Sequence, residues 1–168
     1  ASASLVAAVM NGKYTNAMPL NRIREEFERG GVMLSNATMA NWVNRSAERY
    51  LSLVYDEMHR EFLSRDVIQG DETTVNVAKD GRKAGAKSYM WVYRTGEYDK
   101  RHPIILYDYQ KTRAFEHPKA FLQGFSGTLV CDGYSVYHKL DREVKPIQAA
   151  NCWAHCRRHF ANALKAFK

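Results

Sequence analysis

Apolar residues recur along this chain at two different periods, and the change of period divides it. In "PLNRIREEF", Leu20, Ile23 and Phe27 repeat at the spacing of one helix face. "ERGGVMLS" interrupts that pattern with Gly30 and Gly31. From Ser35, a residue type favoured at helix N-caps, a second pattern runs through Met39, Trp42, Val43, Ala47, Tyr50, Leu51, Val54, Met58 and Phe62, with charges between. The spacing predicts an all-helical segment to about Arg65, its second half one long amphipathic helix or two in line.

After Asp66 the period falls to two. "DVIQGDETTVNVA" places Val67, Asp71, Val75 and Val77 on one side of a strand, and "KSYMWVYRT" is rich in aromatic and β-branched residues. The basic turn "KDGRKAGAK" joins them, and "PIILYDYQ" follows the polar turn "GEYDKRH" as a third strand, so three strands form a meander. Next come a short helix, "EHPKAFLQGF", with Pro118 in its first turn, a fourth strand, "GTLVCD", and a short helix, "GYSVYHKL". "KPIQAANC" reads as a fifth strand and "WAHCRRHFANALKAF" as a final helix with Trp153, Phe160, Leu164 and Phe167 on its apolar face. The order βββαβαβα predicts an α/β fold: a five-stranded mixed sheet flanked by helices and preceded by the helical segment. Tyr89, Trp91 and Tyr93 share one strand face, as do Tyr107 and Tyr109; such stripes are expected in the core rather than stacked on bases.

One charge interrupts this apolar patterning. In "LVCDGYSVY" an apolar run ends in Asp132, and a buried carboxylate without a partner costs several kcal/mol. Taken singly, Asp132 reads as a helix-starting residue and Asp71 as a strand-edge residue. A fourth strand returning parallel to the first and beside it, however, brings the two together. Paired carboxylates are tolerated when a divalent cation bridges them, and hard oxygen donors suit Mg²⁺ or Mn²⁺. The chemistry such a site serves is in-line phosphoryl displacement.

Charge strengthens that reading. The chain of 168 residues carries a net +7, yet residues 1–70 hold eight basic and eight acidic side chains while residues 71–168 hold seventeen and ten. The surplus points to a polyanionic partner such as double-stranded DNA. Lys79, Arg82, Lys83 and Lys87, set against Asp80, give the basic turn a net +3 and make it a candidate holder of a DNA backbone. Arg157 and Arg158 are candidate phosphate contacts, because guanidinium forks match phosphate oxygens. Helix, glycine turn and helix in the first part outline a helix-turn-helix reader with "SNATMANWVNR" as recognition helix, but its neutral charge favours a plain helical pair. Cys152, His155, Cys156 and His159 fall near one helix face; structural zinc sites normally draw ligands from two segments, so a packed face with His155 turned towards the active site or DNA is preferred. Three cysteines without framework spacing, no leader and no long apolar run predict a soluble protein of a reducing cytoplasm, with no membrane association. A first residue other than Met and an end inside a helix read as a piece of something longer.

These residues carry a resemblance. "VIQGDETTVNV", "KSYMWVYRT", "ILYDYQKTRAFEHPKAFL", "GTLVCDGYSVYHKL" and "CWAHCRRHFANAL" resemble the DDE transposases of the bacterial insertion-sequence family numbered sixty-six, and the element order is similar to the ribonuclease H-like core. The resemblance implies a helical part at 1–65 and a ribonuclease H-like catalytic core at 66–168, with Asp71 and Asp132 as the first two acids of a triad. It implies Mg²⁺ or Mn²⁺, double-stranded DNA (transposon ends and target), strand cleavage followed by strand transfer, a homo-oligomer at full length and a bacterial cytoplasm. The third acid is a glutamate beyond a helical insertion, downstream of this chain; Glu143 is a poor substitute, and the isolated chain is expected to be inactive. Thr74 stands where the family commonly has proline, and Cys156 where a small residue is usual. A nuclease of the same fold without strand transfer, or a non-enzymatic helix-turn-helix DNA-binding protein, are the alternatives.

Overall fold

The computed structural model describes residues 1–78, 81–83 and 85–166. Its packing divides into two units, Ala1–Asp56 and Glu57–Lys168. The first contains helices α1 (Ala3–Met10), α2 (Leu20–Arg29) and α3 (Asn36–Ser46), with a π-helical turn at Asn11–Thr15. The glycine break has a definite geometry: Gly31 adopts φ 79°, and the Val32 N–H donates back to the Phe27 carbonyl at 2.9 Å, closing the last turn of α2. The Ser35 hydroxyl then accepts from the Thr38 N–H at 3.0 Å and starts α3. Val9, Ile23, Met39 and Val43 form the core of this unit. The long predicted helix is two helices consecutive along the chain, α3 and α4 (Ser52–Leu63), joined by a π-helical turn at Ala47–Leu51. Of its expected apolar face, Met39, Val43 and Phe62 are buried, whereas Tyr50, Leu51 and Val54 are exposed.

The second unit is built on a five-stranded mixed sheet of order β3-β2-β1-β4-β5. Strand β1 (Val67–Asn76) pairs antiparallel with β2 (Lys87–Thr95), which pairs antiparallel with β3 (Ile105–Gln110). On its other edge β1 pairs parallel with β4 (Thr128–Cys131), and β4 parallel with β5 (Gln148–Asn151). The meander and the return of the fourth strand beside the first are as the sequence predicts. The crossovers carry α5 (Glu116–Phe121) and α6 (Ser135–Glu143), and α7 (Trp153–Ala166) follows β5.

One face of the sheet holds the core. Ile68, Trp91, Tyr93, Leu106 and Leu129 are buried there; Tyr93 stacks on Phe121 of α5 with ring centroids 3.9 Å apart, and Trp91 meets Tyr137 of α6 edge-on at 6.0 Å. The other face is open, and three of the apolar patterns read from the sequence are exposed at some or all of their positions. Val67 and Val77 are exposed, because the packed side of β1 is that of Ile68 and Gly70. Tyr107 and Tyr109 lie outside the core, Tyr107 with 59% of its surface exposed, because they pair with Val92 and Met90 and so point away from Trp91 and Tyr93. Trp153, Phe160 and Leu164 face solvent, Trp153 at 83%, and no described residue of α7 is buried. Phe167 lies outside the described residues. No helix is long and apolar enough to cross a membrane among the described residues.

Candidate active site

Parallel pairing of β1 with β4 runs from Val67 opposite Thr128 to Gln69 opposite Val130. Two residues beyond the last pair stand Asp71, midway along β1, and Asp132, just past the end of β4, so the backbone delivers both carboxylates to the same end of the β1–β4 pairing. Glu72 joins them: one carboxylate oxygen from each of Asp71, Glu72 and Asp132 lies within 4.8 Å of the others. The aspartates are held alike. Asp71 Oδ1 accepts the Glu72 N–H at 2.8 Å, and Asp132 Oδ1 accepts the Tyr134 N–H at 2.9 Å, so each keeps its second oxygen for another partner. His155, in the first turn of α7, brings Nε2 to 3.9 Å from Asp71 Oδ2.

The environments of the neighbouring acids differ sharply. Side-chain exposure is 58% for Asp71 and 1% for Glu72. Arg113, from the loop between β3 and α5, donates Nε to Glu72 Oε1 at 2.7 Å and a second guanidinium N–H to the same oxygen. The Tyr137 hydroxyl of α6 donates to Glu72 Oε2 at 2.6 Å. Burial nevertheless raises the Glu72 carboxyl above its ordinary range, against the pull of Tyr137 and Arg113. Burial likewise raises the Tyr137 phenol and pushes the Cys131 thiol up to about 12, so neither ionises at neutral pH. The Arg113 guanidinium lies over the Tyr134 ring, 3.6 Å from its centroid, and the Tyr134 hydroxyl donates to the Arg113 carbonyl at 2.8 Å. Gly70 makes room for this packing, since a Cβ there would stand 3.2 Å from Leu129 and 3.6 Å from Tyr137.

Glu72, Arg113, Tyr134 and Tyr137 are the members that sequence reasoning missed. Strand parity puts Glu72 on the side of Ile68 and Gly70, but only the packing of that side, set by later segments, makes a carboxylate there require partners. Beside the acids a cavity of about 330 Å³ is lined by Asp71, Glu72, Val92, Arg94, Val130, Cys152 and His155 among others. The donor set suits a hard divalent cation, with Asp71 and Asp132 as its natural ligands, because both Glu72 oxygens are already engaged.

The remaining predicted residues are dispersed. Lys83 and Lys87 are exposed on the hairpin, whereas the Arg82 guanidinium donates to the carbonyls of Lys87 at 3.2 Å and Lys111 at 2.6 Å and to the Ser88 hydroxyl. Lys79 and Asp80 lie outside the described residues. Arg157 and Arg158 are exposed on α7. Among the described residues, the side chains brought together as a metal-capable group are the three acids, and the Cys152, His155, Cys156 and His159 set is not one.

Residues 1–168 match the family model described as "Transposase IS66 family". The chain belongs to that family. It is also similar to three uncharacterised proteins of Sinorhizobium fredii (strain NBRC 101917 / NGR234). It is 30% identical to y4qI over 93% of this chain and 30% of the relative, and 27% identical to y4jD over 98% and 34%. To y4hP it is 29% identical, over 94% and 29%. This transposase-family chain thus spans about a third of the length of the curated relatives it matches.

Proposed function

We propose that Asp71 and Asp132 are the first two acids of a DDE catalytic centre on a ribonuclease H-like sheet, serving DNA strand cleavage and strand transfer at transposon ends. The observation that carries this reading is the parallel pairing of β1 with β4, which sets the two carboxylates side by side, Asp71 midway along β1 and Asp132 just past the end of β4. Mg²⁺ or Mn²⁺ held by Asp71 and Asp132 would supply activation of the attacking oxygen and stabilisation of the leaving one. The chain's own residues do the holding. Asp71 and Asp132 each offer an oxygen, His155 stands beside Asp71, and Arg113 offsets the charge of Glu72.

Double-stranded DNA is the proposed partner, held by Lys83, Lys87, Arg157 and Arg158 and by Lys79. Arg82, engaged with Lys87, Lys111 and Ser88, serves to shape the hairpin. The division of labour follows the same lines, with residues 1–65 a helical part and 66–168 the catalytic core. The third acid belongs to the longer protein, consistent with a chain that spans about a third of its relatives. Asp71→Asn or Asp132→Asn in the longer protein is expected to abolish metal-dependent strand cleavage while leaving DNA retention intact. The 168-residue chain alone is expected to nick nothing. Cleavage that survives either substitution sinks the assignment, and nicking by the purified chain sinks the placement of the third acid.

A further inference from the structure

Sheet hydrogen bonding between β1 and β4 ends at Gln69 and Val130, two residues short of both aspartates. Backbone pairing therefore brings the acids near each other without fixing their tips, and like charges repel. A chain of side-chain and backbone contacts spans the gap. It runs from Asp71 Oδ1 to the Glu72 N–H at 2.8 Å, and from Glu72 Oε1 to Arg113 Nε at 2.7 Å. Next it passes from the Arg113 guanidinium to the Tyr134 ring 3.6 Å away, and from the Tyr134 N–H to Asp132 Oδ1 at 2.9 Å. Two further bonds brace it: Tyr134 Oη donates to the Arg113 carbonyl at 2.8 Å, and Tyr137 Oη donates to Glu72 Oε2 at 2.6 Å.

We infer that Glu72 and Arg113 are positioning residues that set the spacing of Asp71 and Asp132 before any ion arrives, and that Glu72 is not itself a ligand. This rests on the reading of the two aspartates as the ion-holding pair. Glu72 has both oxygens occupied and 1% of its side chain exposed, so ligation would require breaking a buried charge-assisted fork. Arg113 reaches the same carboxylate from another segment and supplies the positive charge that lets three acids stand within 4.8 Å of one another.

The test is amide hydrogen exchange of the 168-residue chain without metal, read at the Tyr134 N–H, which the path aims at Asp132. Glu72→Ala removes the acceptor for Arg113 and is expected to speed exchange at Tyr134 by about tenfold or more, as local opening does. Glu72→Gln keeps an acceptor oxygen of the same reach and is expected to hold the rate within about threefold of wild type. Should Glu72→Ala fail to fold by circular dichroism, Arg113→Ala, at a side chain 38% exposed, takes its place with the same expected acceleration. Unchanged exchange at Tyr134 in a folded Ala variant overturns the inference, as does a Gln variant as fast as the Ala variant. Mn²⁺ titration of the same proteins, read by water-proton relaxation, separates the two ideas. Equal binding by Asp71→Asn and wild type would sink the ion-holding reading, while the metal-free exchange rates would still judge the positioning one.

Discussion

Asp71 and Glu72 are consecutive residues of one strand, yet they inhabit opposite faces of the sheet. The open face leaves Asp71 more than half exposed and beside a cavity, free to take a partner. On the packed face Glu72 lies beneath α6 and the β3–α5 loop, with each oxygen already spoken for by Tyr137 or Arg113. The same functional group becomes accessible or structural according to the face it occupies. Packing against one face only is what allows the sheet to hold a rigid scaffold and an accessible carboxylate one residue apart.

The sharpest way to break this comparison is to truncate matching aromatic side chains on the two faces. Trp91→Ala removes a fully buried indole from the packed face and is expected to cost about 3–5 kcal/mol in urea unfolding. Tyr107→Ala on the open face should stay within roughly 0.5 kcal/mol of wild type, as solvent-facing substitutions do. Comparable losses at the two positions would mean that the open face is packed in solution.

A smaller contrast comes from the acids themselves. Tyr137→Phe deletes one hydroxyl and leaves a buried Glu72 oxygen without its donor, an expected loss of about 1–3 kcal/mol. Asp71→Asn, at an exposed position, is expected to change stability by less than about 0.5 kcal/mol. Urea titrations of the two variants side by side decide it. A destabilised Asp71→Asn with a neutral Tyr137→Phe would reverse the roles assigned to the two faces.

Much of this arrangement was legible along the chain. Strand boundaries, the meander, the return of β4 beside β1 and the meeting of Asp71 with Asp132 follow from period, order and handedness, which are local or topological. Which face of β1 is packed was not legible. Val67 and Val75 on one side and Ile68 and Gly70 on the other give apolar character to both, and the decision is made by helices that arrive later in the chain. Glu72 illustrates the limit: its cost of burial is offset by Arg113 and Tyr137, far away in sequence, so reading β1 alone makes it look misplaced. The stripe at Trp153, Phe160 and Leu164 has helical spacing, but spacing establishes a common face without naming what that face meets.

The smallest effect expected concerns a second arginine–carboxylate pair, whose burial is the reverse of the first. In Arg113–Glu72 the acid is the buried partner; in Arg65–Asp99 the arginine is, with 3% of its side chain exposed and Nη1 3.0 Å from the Asp99 carboxylate. The Arg101 backbone N–H, at 2.9 Å, holds the Asp99 carboxyl below its ordinary range, with the Arg101 side chain and Arg65 adding to the same effect. A depressed folded-state pKa means that the unfolded chain takes up the proton first as pH falls. The stabilisation from Asp99 is therefore complete above the ordinary carboxylate pKa of about 3.9 and disappears as pH drops through the lower folded value. Asp99→Asn should be slightly less stable than wild type at neutral pH, by an amount independent of pH there, and the two should converge in acid. Glu61, 3.1 Å from Arg65, keeps the buried guanidinium paired in the variant, which is why the difference is small. Urea midpoints measured from pH 7 downwards test this, and a gap that widens in acid would show that Asp99 is not held charged by its neighbours.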